Sequence, residues 1–169
     1  MIASPRFRLP IVVLAALVVH TSLLEGLRSA GLPADAMVLL PVTAGVVAGS
    51  ERGALLGFVA GLVTDLFLQT PFGLSALAFS LVGFGVGVLQ GNVIRAAWWI
   101  MPLTAFVGSA AGMVLYAVIG AMVGQSHLVR PSLGLIALSV GLVNAPLSIL
   151  FGRFMAWALT GANDRAYAA

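Results

Sequence analysis

The chain has 169 residues, of which 61% are hydrophobic and 8% charged, and its mean hydropathy is +1.13. A soluble domain needs about a quarter of its residues charged to cover itself in water, so this composition excludes one and implies a surface that faces lipid. The formal charge of +3 rests on eight arginines scattered toward the ends of apolar runs, a topology-setting pattern that excludes a phosphate-tracking nucleic-acid surface, while zero cysteines exclude disulfides, thiolate metal sites and cysteine nucleophiles.

There is room for about six spans of roughly 20 residues with minimal connections. The first is expected over about 10–27, with Pro10 in its first turn and His20, Thr21 and Ser22 as its polar residues. Arg6 and Arg8 ahead of an apolar run, and Ala34-Asp35-Ala36 after it, resemble a signal peptide with its cleavage site. The run is long for that role, and Glu25 and Arg28 intervene, so the segment is read as a retained span. A connection from Arg28 to Asp35 carries the turn formers Gly31 and Pro33. The second helix, 36–49, is short and holds Pro41, which predicts a kink or a locally thinned bilayer. Ser50-Glu51-Arg52 then reads as a minimal charged turn.

Helices three and four are expected over 53–68 and 74–94, joined by the tight turn Gln69-Thr70-Pro71-Phe72-Gly73. The fifth spans 97–123, with Trp98 and Trp99 beside Arg95 as an interfacial anchor. After a connection holding His127 and Arg130, the sixth covers 132–152, with Asn144 and Pro146 in its middle. The remainder, 153–169, reads as an interfacial segment around Phe154–Trp157 and a loose tail. With the N-terminus cytoplasmic, Arg6, Arg8, Arg52, Arg95, Arg153 and Arg165 lie inside and only Arg28 and Arg130 outside, which fixes both ends as cytoplasmic. The fold class is an all-α integral membrane protein in one domain, a bundle of about six transmembrane helices.

Two features stand out inside this plan. Gly53, Gly57 and Gly61 recur every fourth residue, as do Gly83, Gly87 and Gly91 across the turn, so small residues occupy one face of each helix and permit close approach. Gly108/Gly112 and Gly120/Gly124 extend the theme. Such rows either pack this bundle internally or dock another protein's helix. Asp65 continues the first row at the same spacing and is the one carboxylate deep in an apolar run. A carboxylate there marks a partner, a pathway or a proton site; alternatively, near the end of its span, it bonds the backbone of the turn that follows. Within the chain, His20 is the first candidate partner and Arg130 the second.

Other motifs are rejected. Gly83-Phe84-Gly85-Val86-Gly87 has the wrong third spacing for a dinucleotide loop and no strand before it. Gly73-Leu74-Ser75 lacks the last glycine of a nucleophile elbow. Two histidines and no cysteine make no metal site, and no cofactor or catalytic set is expected.

The pattern G-x3-G-F-x2-G-L-x2-D-L, a turn with P-x-G-L and a glycine-rich second helix resembles the rod shape-determining protein MreD family. It is carried by Gly53, Gly57, Phe58, Gly61, Leu62, Asp65, Leu66, Pro71, Gly73 and Leu74, with Gly83 and Gly87 following. The resemblance covers about 35 residues at motif level and the rest by composition; the very short second helix departs from it. It implies a non-enzymatic scaffold of the bacterial cell-elongation machinery in the cytoplasmic membrane. Its partners would be the single-span MreC and, through it, the MreB filament and the peptidoglycan polymerase–transpeptidase pair. It also implies a fold similar to the substrate-binding subunits of energy-coupling-factor vitamin transporters, whose function is the alternative. On the scaffold reading, Gly53, Gly57, Gly61, Asp65, Pro71, Gly73, Gly83 and Gly87 are the candidate packing or partner residues, Asp65 and the Pro71–Gly73 turn shaping a groove that opens outward; the transporter reading has only Asp65, Gln69, Thr70, His127 and Arg130 near the outer loops.

Overall fold

The computed structural model describes residues 5–18, 20, 35–67, 71–91 and 99–159. The far half of the first expected span, the connection 28–34, Gln69 and Thr70, the end of the fourth span at 92–94, Arg95 with Trp98, and the tail from 160 lie outside the described residues. Six α-helices occur among the described residues: α1 (Pro5–Val18), α2 (Ala36–Ala48), α3 (Ser50–Asp65), α4 (Leu74–Gly91), α5 (Ile100–Met122) and α6 (Leu133–Leu159). A single 3-10 turn, Ser126–Leu128, joins the last two, and there is no strand among these residues. Two of the helices, α5 and α6, are long and apolar enough to cross a membrane.

The centre of the bundle is α2. Its sequence is apolar on every side, and a helix without a polar stripe has to be enclosed. Every residue from Ala36 to Gly45 is buried, and all five other helices pack against it. At about 1.5 Å per residue its 13 residues reach about 20 Å, short of the roughly 30 Å of a hydrocarbon core. It forms a short axle surrounded by longer helices. Pro41 is inside it and Pro146 inside α6; both helices continue through them.

Several boundaries differ from expectation for identifiable reasons. Helix α3 starts at Ser50, not Gly53, because Gly49 alone makes the joint with φ +87°. Ser50-Glu51-Arg52 is thus the first helical turn, where the Glu51 charge favours the helix dipole. Helix α1 begins at Pro5, with Pro10 inside it. The stretch Arg153 to Trp157 is not a separate interfacial segment but the continuation of α6 to Leu159. Phe151, Met155, Ala158 and Leu159 recur at three- and four-residue spacing and are buried, so the helix stays docked on the core. Trp99, immediately before α5, is exposed, as an interfacial anchor would be.

The Gly49 joint yields a direct test. With φ +87° and ψ −179° it occupies a region essentially restricted to glycine. Gly49→Ala is expected to cost about 1–3 kcal/mol, read as a lower melting temperature of the detergent-solubilised protein, although no neighbouring atom obstructs the added methyl.

Candidate functional site

The candidate residues converge on the hairpin of α3 and α4, the most intimately packed pair in the molecule. Gly53 and Gly83 face each other, backbone against backbone, and Gly45 of α2 wedges against both. A Cβ placed on Gly57 would run into the backbone of Phe79 and Ser80, one on Gly61 into Ser75 and Ala76, and one on Gly87 into Ser50. Gly53, Gly57, Gly61, Gly83 and Gly87 therefore mesh with the facing helix of the hairpin and present no free surface. Gly108 and Gly112 of α5 likewise receive Val42 and Val38 of α2.

Asp65 closes the far end of this hairpin. It is the last residue of α3 and only 4% exposed. Its Oδ2 accepts the backbone N–H of Gly73 (2.8 Å) and of Ala76 (3.4 Å), and Oδ1 that of Ser75 (3.1 Å). The Leu74 N–H is taken by the Pro71 carbonyl (3.2 Å). A helix N-terminus leaves its first amides without intrahelical partners, and the usual remedy is an oxygen-bearing N-cap side chain. Here the position before the helix is Gly73, at φ +98°, which makes the reversal but has no side chain. The missing oxygens come from Asp65 on the preceding helix, and its charge sits at the positive end of α4.

This arrangement does not include His20 or Arg130. Arg130 Nε donates to the His127 carbonyl (3.0 Å) in the exposed connection. His20 lies instead beside Asp35, with Nδ1 3.3 Å from Oδ1. No hydrogen bond forms there among the described residues. Among the described residues the Asp65 carboxylate is enclosed and its acceptor capacity is directed at α4, so it does not itself open onto a groove.

A second polar cluster, around Asp35, was not singled out from sequence. Asp35 caps α2, its Oδ1 accepting the Met37 N–H at 2.9 Å. The Asn144 Nδ2 of α6 donates to the Asp35 carbonyl (2.8 Å) and to Ser109 Oγ of α5 (2.9 Å). Both Asn144 and Ser109 are fully buried, and Asn144 Oδ1 has no partner among the described residues. The signal was available: an aspartate immediately ahead of an apolar helical run is an N-cap pattern. What spacing could not reveal is that Ser109 and Asn144, 35 residues apart, meet at that cap.

The open surface lies elsewhere, between α4 and α5. A groove of about 450 Å³ is lined by Leu81, Gly85, Leu89, Leu103, Val107 and Ala111, among others. Gly85, two residues from the tightly packed Gly83 and Gly87, has nothing within 4 Å of where its Cβ would be. Beside it, the buried Gln90 donates from Nε2 to Thr104 Oγ1 (2.9 Å), which itself donates to the Ile100 carbonyl (2.7 Å). No group of three or more metal-ligating side chains occurs among the described residues.

Compared with known proteins, residues 5–156 match the family described as rod shape-determining protein MreD. No curated protein and no solved structure matches the chain.

Two outcomes are expected from the hairpin geometry. Gly57→Leu or Gly61→Leu must push α3 off the α4 backbone. Each is expected to exceed the about 1–3 kcal/mol usual for overpacking, read by size-exclusion chromatography as loss of the monodisperse peak. Asp65→Leu strands three amides worth about 1–3 kcal/mol each, whereas Asp65→Asn keeps one oxygen, turns its NH2 toward at least one amide and so loses about one such bond, together with the charge–dipole part of about 0.3–1 kcal/mol. Melting temperatures should therefore fall in the order wild type, Asp65→Asn, Asp65→Leu; equal values for the two variants would contradict the capping role.

Proposed function

The chain belongs to the MreD family of rod shape-determining proteins, and from that premise we propose that it is a non-enzymatic scaffold of the bacterial cell-elongation complex. It crosses the cytoplasmic membrane about six times with both termini inside, following the arginine distribution. Its direct partner is an MreC-like single-span protein, through which it reaches the MreB filament and the peptidoglycan polymerase–transpeptidase pair. The observation that carries this reading is the family match over residues 5–156.

The packing suggests where the partner's helix sits. Because the glycine rows of α3 and α4 mesh with each other, the glycine left open in the α4–α5 groove is Gly85. A transmembrane helix laid there would bury apolar side chains against a small, close-approach residue, the common mode of helix association in lipid. The alternative, a substrate-binding subunit of an energy-coupling-factor transporter, has less support. It needs convergent polar side chains, yet Asp65 is engaged with α4, and His127 and Arg130 are exposed in their connection.

Co-purification from membranes with a tagged MreC-like partner tests both levels. Gly85→Leu is expected to leave the melting temperature unchanged or higher, since leucine is the better helix former, and to lower partner recovery about tenfold, as roughly 1.4 kcal/mol would. Leu142→Trp, on an exposed face of α6 away from the groove, is expected to keep full recovery. Undiminished recovery with Gly85→Leu would remove the groove from the account; failure of the wild type to retain the partner would remove the scaffold role.

A further inference from the structure

On the side of the bundle away from α4, α1 and α6 leave a crevice of about 230 Å³ between Ile11 and Ala15 on one wall and Leu150, Phe154 and Trp157 on the other. All of its lining residues are apolar, and Ile11, Leu150 and Phe154 are half exposed, so it opens sideways. A narrow, wholly apolar slot of this kind suits a hydrocarbon chain.

The charge beside it is of one sign. Arg153 lies three residues after Leu150 and four before Trp157, so these side chains share a face of α6. It is exposed, and no carboxylate among the described residues pairs with it. Six residues from the end of the helix at Leu159, it sits about 9 Å from that end. Trp157 is the kind of residue that settles at a headgroup boundary. By sequence, α1 contributes Arg6 and Arg8, and neither α1 nor α6 contains an acid.

We propose that the α1–α6 crevice is a binding site for an anionic phospholipid, an acyl chain lying along Ala15 and Phe154 and the phosphate meeting Arg153. The complementarity is twofold: an apolar slot, and a guanidinium one helical turn along from its wall that no carboxylate among the described residues pairs. Basic pockets between helices at a membrane surface recognise anionic headgroups in this way. The inference goes beyond the scaffold reading and needs only that α1 and α6 lie in a bilayer.

Native mass spectrometry of the full-length protein, delipidated in detergent and titrated with phosphatidylglycerol or phosphatidylcholine of identical chains, tests it. The wild type is expected to prefer phosphatidylglycerol about fivefold, the effect of one arginine near an anionic headgroup. Arg153→Ala is expected to remove the preference and Arg153→Lys to retain most of it. Ala15→Phe, which fills the slot, is expected to weaken both lipids alike; should that variant fail to fold, the arginine pair decides. Equal binding of the two lipids by the wild type, the result if Arg153 only reaches toward the interface, would overturn the site. A preference that survives Arg153→Ala would overturn it too.

Discussion

A backbone N–H that has neither water nor a protein acceptor costs about as much as a small cavity, roughly 1–3 kcal/mol, and every helix begins with several of them. In a chain with so little polar surface, satisfying those amides is the constraint on which the rest depends. Both buried carboxylates among the described residues serve it. Asp35 caps the central helix α2 directly, and Asp65 caps α4 from the end of the helix before it. The second arrangement has a structural consequence, because an acceptor on α3 and donors on α4 make capping and hairpin closure the same event.

Closure in turn demands that two backbones approach to within the thickness of a glycine. Gly53, Gly57, Gly61, Gly83 and Gly87 permit it, and Gly45 extends the contact to α2. Three helices thereby meet main chain to main chain, and the larger side chains Val38 and Val42 of α2 are left to fill the glycine notches of α5. Asn144 and Ser109 complete the enclosure by binding the chain at the start of α2. The rigid part of the molecule is thus α2, α3 and α4 together, with α5 and α6 packed on it and α1 resting chiefly on α2 and α6. The looser seams, α4–α5 and α1–α6, are where surface remains for other molecules, and each has a shape and chemistry suited to a different one.

Much of this was legible in the residues. Composition alone announces helices and excludes a soluble domain, and four-residue glycine spacing identifies the faces of α3 and α4 that approach closely. The turn at Pro71–Gly73 and the carboxylate before it were visible too, with the local-capping reading of Asp65 among the options. The centrality of α2 was not read, although an apolar pattern with no stripe is the mark of an enclosed helix; its shortness drew attention to bilayer thickness instead. Asp35 falls beside turn formers and a cleavage-like tripeptide, and Asn144, which binds its carbonyl, is 109 residues distant in sequence. The pairing of His20 with Asp65 failed for a plain reason: equal depth in two parallel helices does not make them neighbours, and α1 packs chiefly on α2 and α6. Gly85 differs from Gly83 and Gly87 only by its azimuth on the helix, which spacing within one row cannot assign to a groove.

In the proposed assembly of this MreD-family chain, the partner meets a groove whose one wall, α4, is already held against α3. The claim beneath this is that the Asp65 carboxylate holds the first amides of α4. Amide hydrogen exchange at Gly73, Ser75 and Ala76 in the wild type and in Asp65→Leu measures it directly. The account predicts slow exchange at all three in the wild type and selective acceleration there in the variant; equal protection in both proteins would contradict it.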